Sequence, residues 1–381
     1  MKRDIAQHIK KDLEKKIVFI SGPRQVGKTT LTKSLDLTYD YFNYDRAADR
    51  VALQDNSWDR NKELVIFDEL HKMNQWKRWL KGIYDTEGVR PRILVTGSSK
   101  LETYRKVGDS LAGRYFQYRL HPFDLKEVRS HYSKEEAFKR LWECSGFPEP
   151  FIDGTEAFYH RWKRSHLDII LRQDLIDIQT IRDIQAIEAL IERLKSNVGS
   201  TISYSNLARA LEKDAKTIKR WLQLLENLYV VFKVIPYSKK ISRSLLKEPK
   251  YYFYDGVQVS KDNGVKLENI VAAAILKELH RLEDVLGAST TKLYFLRTKD
   301  GKEIDFLVVI NDKPYCLIEV KWSDDNPSKH FSYFENYFMK SKKIQLVKEI
   351  KRDKTYPNGL EIRNVVNWLS NIDFSDAVQY R

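Results

Sequence analysis

One stretch constrains this chain more than any other: Gly22-Pro-Arg-Gln-Val-Gly-Lys28-Thr29-Thr30. The apolar run Ile17-Val-Phe-Ile20 precedes it and Leu31-Thr-Lys-Ser-Leu35 follows. A short buried strand must deliver the chain to a loop, and a helix must leave from Lys28. The spacing G-x-x-x-x-G-K-T is that of a phosphate-binding loop. Glycines at both ends permit backbone conformations and close approaches that a Cβ would block, so successive N–H groups can ring a phosphate. Gly22, Pro23, Arg24, Gln25, Val26, Gly27, Lys28, Thr29 and Thr30 are therefore the expected contacts to a nucleoside triphosphate. Lys28 is expected on the β- and γ-phosphates and the Thr29 hydroxyl on Mg²⁺.

A chain of 381 residues exceeds a typical single core, so two or three domains are expected. No uninterrupted apolar span is long enough to cross a bilayer, and the first ten residues form a charged amphipathic pattern without a signal peptide's apolar core. Cys144 and Cys316 are the only cysteines, far apart and outside any Cys-x-x-Cys pair, which argues for a reducing compartment, the cytoplasm, and against structural zinc. The formal net charge of +14 attracts polyanions, with nucleic acid foremost. That charge is spread along the whole chain rather than held in one tail.

Beyond the loop, Tyr39 to Asp45 reads as a second strand, and Glu63-Leu-Val-Ile-Phe67 as a third that ends in Asp68-Glu69. Carboxylates at the C-terminal edge of a buried strand beside a phosphate loop form a Walker B pattern. Asp68 is expected to hold Mg²⁺ and Glu69 to polarise an attacking water, and the tandem favours hydrolysis over simple binding. Arg92-Ile-Leu-Val-Thr96-Gly-Ser98-Ser99 is a further strand ending in small hydroxyl residues.

These blocks, with Ala112-Gly-Arg114-Tyr, Leu120-His-Pro-Phe and Gly146-Phe-Pro-Glu149, resemble prokaryotic AAA-type (AAA+) P-loop ATPases. Those proteins carry a C-terminal domain similar to restriction-endonuclease folds. The resemblance runs over nearly the whole chain in order. It implies that adenine is the base, since the loop itself reads only phosphates. It implies a sensor position at Ser98 or Ser99, where Asn is commoner. For Arg114 it implies a nucleotide-proximal or subunit-facing position, as an arginine finger acting in trans within a homo-oligomer. A structural salt bridge is the competing role for Arg114.

Lys134 to about Lys195 has helical spacing. Tyr204 to Glu212 then reads as a short helix, Lys213-Asp214 as a turn, and Ala215 to Asn227 as a second helix. On the second helix Ile218, Leu222, Leu225 and Leu228 line one face while Lys216, Lys219, Arg220 and Gln223 project from the other. Strands at Tyr229–Ile235 and Tyr251–Tyr254 complete a winged-helix pattern. In it Lys216, Thr217, Lys219 and Arg220 face nucleic acid; a packing module between domains is the alternative.

In the C-terminal third a helix opens at Asn263 and carries Glu268. It is followed by strands at Lys292–Arg297, Glu303–Ile310 and Tyr315–Trp322. Glu319 and Lys321 share a strand face. If Ile310 pairs with Pro314 across a three-residue loop, Asp305 falls opposite Glu319, close enough to share a divalent ion. A one-residue slip would separate them. This is the PD-(D/E)XK nuclease arrangement, with Asp305, Glu319 and Lys321 as the catalytic set and Glu268, Asp305 and Glu319 as ligands to Mg²⁺ or Mn²⁺. Many relatives of that fold bind without cleaving.

The expected architecture is α/β throughout: a P-loop AAA+ ATPase core over 1–133, a helical and winged-helix middle over 134–254, and a restriction-endonuclease-like domain over 255–381. The expected function is ATP hydrolysis on DNA, regulating a metal-dependent nuclease-like domain. The alternative is an ATP-driven switch that only binds nucleic acid or a partner protein.

Overall fold

The computed structural model describes residues 1–97, 111–171, 183–238, 248–259 and 262–378. The chain divides into two compact units, Met1–Pro122 with Asn227–Tyr229, and Phe123–Glu226 with Val230–Arg381.

The first unit is built on a five-stranded sheet of β1 (Ile17–Ser21), β2 (Tyr39–Asn43), β3 (Leu64–Asp68), β4 (Arg92–Thr96) and β5 (Tyr115–Arg119), in the order β2-β3-β4-β1-β5. Every pairing is parallel. Strands of such a sheet are covered on both faces, which explains why β1 and β3 are buried at every position and apolar up to their last residues, Ser21 and Asp68. Helices α1 (Ala6–Asp12), α2 (Lys28–Lys33), α3 (Ala47–Gln54) and α4 (Trp76–Glu87) belong to the same unit. One core cluster joins Phe19, Val65 and Phe67 of the strands to Trp58 and to Trp76 and Leu80 of α4. Because β4 lies between β1 and β3, the loops leaving all three open along one edge of the sheet. That edge carries the phosphate-type loop, Thr96 and Asp68-Glu69.

In the second unit come α5 (Leu125–Val128), α6 (Lys134–Cys144), α7 (Pro148–Asp153), α8 (Glu156–Ile169), α9 (Ile184–Ser196), α10 (Tyr204–Ala210) and α11 (Ala215–Asn227, ending at the boundary between units). They are followed by β6 (Val231–Pro236), β7 (Lys250–Phe253) and the long α12 (Asn263–Asp284). Then come β8 (Thr291–Arg297), β9 (Glu303–Ile310), β10 (Lys313–Lys321), α13 (Lys329–Phe334), β11 (Lys342–Val347), β12 (Lys354–Thr355), β13 (Leu360–Asn364) and α14 (Val365–Leu369). The sheet runs β12-β13-β11-β10-β9-β8-β6-β7. The β6–β7 pair that follows the helix–turn–helix is therefore not separate. Ile235 and Pro236 pair in parallel with Tyr294 and Phe295 of β8. Asn269 of α12 hydrogen-bonds both the N–H and the C=O of Phe253 on β7. Lys277, bonded to Glu127 at 2.6 Å, and Lys126, bonded to Glu278 at 3.1 Å, tie α5 to α12.

The turn between β9 and β10 differs from expectation while the register beyond it agrees. Asn311 and Asp312 both adopt left-handed φ, 50° and 61°, and make a two-residue turn in which Ile310 pairs with Lys313. Asn and Asp tolerate that conformation best among residues with a side chain. An irregularity between Pro314 and Cys316 then shifts the ladder by one, giving Cys316↔Val308, Leu317↔Leu307 and Ile318↔Phe306. The next step sets Glu319 opposite Asp305. The shorter turn and the added bulge cancel.

Candidate functional site

The loop after β1 folds back on itself. Gly22 has φ 151°, Gln25 φ 57° and Gly27 φ 91°. A Cβ on Gly22 would stand 2.3 Å from the Leu120 carbonyl oxygen, so no side chain fits where the loop leaves the strand. Val26 is fully buried, and its carbonyl accepts from the Arg3 guanidinium at 3.1 Å. Arg3 also donates to the His121 carbonyl, bracing the loop from the N-terminal segment. Lys28 is buried at the start of α2, its Nζ donating to the Gly22 and Pro23 carbonyls at 2.9 and 2.7 Å. Thr29 follows one residue later on the same turn. Arg24 is half-buried, and Gln25 and Thr30 are exposed.

Asp68 closes β3 and gathers three hydroxyl donors. Thr29 Oγ1 donates to Oδ2 at 2.9 Å, Tyr41 of β2 to the same oxygen at 2.6 Å, and Thr96 at the end of β4 to Oδ1. Burial and the bond to Asp68 push the Tyr41 phenol up, which keeps it a donor. Glu69 adopts a left-handed φ of 55°. Its Oε2 is buried without a hydrogen bond, with His71 Nε2 3.5 Å away. Burial pushes the Glu69 carboxyl up, against the pull of Lys28. The Thr29 hydroxyl and the Asp68 carboxylate are hard oxygen donors at the edge of a backbone cradle, a set that fits Mg²⁺ carried by a nucleotide.

Arg114 stands elsewhere. Its carbonyl accepts from the N–H of Ile17, at the N-terminal start of β1. In a parallel sheet that is the end opposite the loop, separated from it by the five residues of β1, roughly 13 Å. Its guanidinium pairs with Asp85 of α4, Nε to Oδ1 at 2.8 Å. Within this chain Arg114 is thus held in an ion pair away from the phosphate loop. Ser98 and Ser99 lie outside the described residues; Thr96, two residues earlier, is the hydroxyl that meets Asp68.

In the second unit Lys321 Nζ is 2.8 Å from Glu319 Oε1. The Val320 N–H donates to Asp305 Oδ2 at 2.8 Å. Glu319 has a side chain 3% exposed, and its Oε2 has no hydrogen-bond partner. Desolvation and the Glu319 charge hold the Asp305 carboxyl well above the usual carboxylate range, and burial raises Glu319 against the pull of Lys321. Glu268 is engaged differently: its Oε1 accepts from Tyr252 at 2.6 Å and stands 3.5 Å from Lys250 Nζ. Asp305 and Glu319 therefore present oxygens that fit a divalent ion, while Glu268 Oε1 is already engaged by Tyr252 and Lys250. Among the described residues no three His, Cys, Asp or Glu side chains gather as a metal cage.

On α11, Lys216, Lys219 and Arg220 are exposed opposite the buried Ile218, Leu222 and Leu225. Thr217 is used otherwise: its N–H and hydroxyl both bond the Asp214 carboxylate, at 2.8 and 2.6 Å, closing the start of the helix.

Residues 14–129 match the AAA domain family. This segment is similar to AAA domains. Residues 135–256 and 263–367 match two families described as domains of unknown function, DUF8612 and DUF4143. Similar proteins include Uncharacterized protein Rv2008c of Mycobacterium tuberculosis, 25% identical over 324 residues, covering 82% of this chain and 72% of that protein. Uncharacterized protein MJ1544 of Methanocaldococcus jannaschii is 25% identical over 372 residues, covering 87% and 81%. Among solved structures, the Aeropyrum pernix ORC1 protein in complex with DNA overlays with a TM-score of 0.36 at 8% identity, covering 72% of this chain and 94% of that one. The Bacillus subtilis DNA clamp loader delta protein overlays with a TM-score of 0.26 at 11% identity, covering 74% and 98%. Overlays this loose carry no argument about function.

The AAA domain brings together Lys28, Thr29, Asp68 and Glu69 and leaves Arg114 apart. Sequence reasoning missed Arg3, Tyr41 and Thr96 there, and Lys250, Tyr252 and Glu303 in the second unit. A lysine heading the apolar run Tyr251-Tyr-Phe-Tyr254 was the one available signal, because a charge in a buried strand demands partners.

Proposed function

We propose that this protein hydrolyses ATP at the AAA domain and acts on DNA, with the nucleotide state regulating a metal-dependent, nuclease-like site in the second unit. The observation that carries the reading is the Thr29–Asp68 bond at 2.9 Å, which joins the phosphate loop to the acid-bearing strand. Bound ATP with its Mg²⁺ supplies the transferable γ-phosphoryl group. The loop N–H groups and Lys28 bind the phosphates, and Thr29 and Asp68 orient the cation. Tyr41 and Thr96 fix Asp68, and Glu69 Oε2 takes the proton of the attacking water. DNA as the polyanion is supported by the exposed row Lys216, Lys219 and Arg220 and the net charge of +14. Cleavage is supported by Asp305 opposite Glu319 with Lys321 bonded beside them.

A second reading, binding without cleavage, is favoured by one observation: Glu268 is already engaged by Tyr252 and Lys250. The two are separated by incubating supercoiled plasmid and single-stranded DNA with Mg²⁺ or Mn²⁺, with and without ATP, using wild type, Lys321→Ala and Lys28→Ala. Nicking that disappears in Lys321→Ala and changes in Lys28→Ala establishes the first reading. ATP turnover without nicking under any condition leaves the second.

A further inference from the structure

The acidic strand pair has a cation beside it that neither of its own strands supplies. Lys250 opens β7 and is 1% exposed. Its Nζ stands 2.5 Å from Glu303 Oε1, 3.5 Å from Glu268 Oε1 and 5.3 Å from the centre of the Phe295 ring. Glu303 lies two residues before Asp305 on β9, hence on the same face of that strand. The ammonium thus holds carboxylates from α12 and β9, and Tyr252 donates to the same Glu268 oxygen. Glu319 Oε2, across the strand pair, keeps a buried oxygen with no hydrogen-bond donor. A buried ammonium persists only against opposite charge. A divalent ion recruiting the same carboxylates meets both their prior engagement and a like charge.

We propose that Lys250 is the resident counter-ion of this acidic cluster: it withholds Glu268 from a divalent cation, and Asp305 with Glu319 takes up Mg²⁺ or Mn²⁺ tightly only when the Lys250 ammonium is removed or displaced. The inference rests on reading Asp305 and Glu319 as a divalent-ion pair. It adds that the site carries its own competitor, delivered by a strand other than those bearing the acids. That strand is anchored to the segment entering α10, through the Thr201↔Lys250 bridge and the Ile202 N–H to Pro249 carbonyl bond at 2.7 Å. A movement of β7 would therefore change which cation the carboxylates see.

The test is Mn²⁺ binding to the full chain without nucleotide, followed by titration calorimetry and by the metal-induced shift in Tm. Wild type and Lys250→Met are compared, each with and without Asp305→Asn, so that Mn²⁺ held elsewhere is subtracted. The expected result is Asp305-dependent affinity about tenfold or more tighter in Lys250→Met than in wild type. Equal Asp305-dependent affinity in both proteins overturns the role of Lys250 and leaves the metal pair standing. Absence of Asp305-dependent binding in both overturns the metal pair and the counter-ion role together. Should Lys250→Met fail to fold, Lys250→Met/Glu303→Gln removes the matched charge as well and is read by the same comparison.

Discussion

The two acid-bearing strands of this protein are solved in opposite ways. Asp68, at the end of β3, is surrounded by neutral hydroxyls from Thr29, Tyr41 and Thr96, and the nearby Lys28 is turned onto backbone carbonyls. Asp305 and Glu319, paired across β9 and β10, sit in a cluster that already contains two ammonium groups, Lys321 and Lys250. The first site is arranged to receive a cation together with an anion, as a nucleotide delivers them. The second has much of its charge neutralised from within. A carboxylate held by dipoles keeps its ligand capacity, whereas one held by ammonium groups must exchange partners before it can use it.

That contrast breaks most readily at Lys28. Lys28→Ala removes the side-chain cation of the loop and is expected to lower ATP turnover by at least about 100-fold, measured by phosphate release. Unchanged turnover would place hydrolysis outside the AAA domain. Glu69→Gln comes next, lowering turnover by roughly 10²–10³ while ATP binding survives, since only proton transfer is lost. The same residue sets a pH dependence. Burial raises its carboxyl, so the ionised base is lost on acidification at a pH above the ordinary carboxylate range. The acidic limb of the turnover profile is expected there. A smaller effect is expected at α11. Lys216→Ala, Lys219→Ala and Arg220→Ala combined should weaken DNA binding at all sequences and flatten its log–log salt dependence by about 2–3. An unaltered slope would move the DNA surface elsewhere.

How much of this was legible in the sequence follows from distance along the chain. The loop, its strand and its helix are local: eight consecutive residues specify glycine geometry, lysine and threonine, and the structure has them in place. Asp68-Glu69 was legible because a buried parallel strand must end at that edge. The pairing of Asp305 with Glu319 was legible although the turn was not. A slip by one residue would turn Asp305 to the face away from Glu319, and the bulge at Tyr315 restores the register that the shorter turn would have shifted. What stayed hidden is non-local. Nothing near Lys250 announces Glu303, 53 positions further on, and nothing near Tyr41 announces Asp68. Arg114 shows the same limit: its block suggested a finger or a salt bridge, and only the three-dimensional neighbourhood supplies Asp85.

The sharpest form of the comparison is thermodynamic, and its two arms have opposite signs. Asp68→Asn gives up an oxygen that accepts hydroxyl bonds from Thr29, Tyr41 or Thr96, so a buried donor is left over, and stability should fall by about 1–2 kcal/mol. Asp305→Asn keeps an oxygen for the Val320 N–H and removes a charge that desolvation and Glu319 oppose, so it should raise stability at neutral pH, by roughly 1 kcal/mol. The sign follows from linkage. The folded Asp305 carboxyl binds its proton more tightly than the unfolded one, which titrates near pH 4. Wild type therefore loses stability relative to Asp305→Asn as pH rises from about 4 through the folded carboxyl's higher range, and matches it best in acid. Thermal unfolding of both proteins across that range reads the difference directly. If Asp305→Asn is destabilised at neutral pH as Asp68→Asn is, the two ammonium groups already compensate Asp305 fully. The acidic pair of the second unit is then a structural network, and the distinction between the two sites collapses.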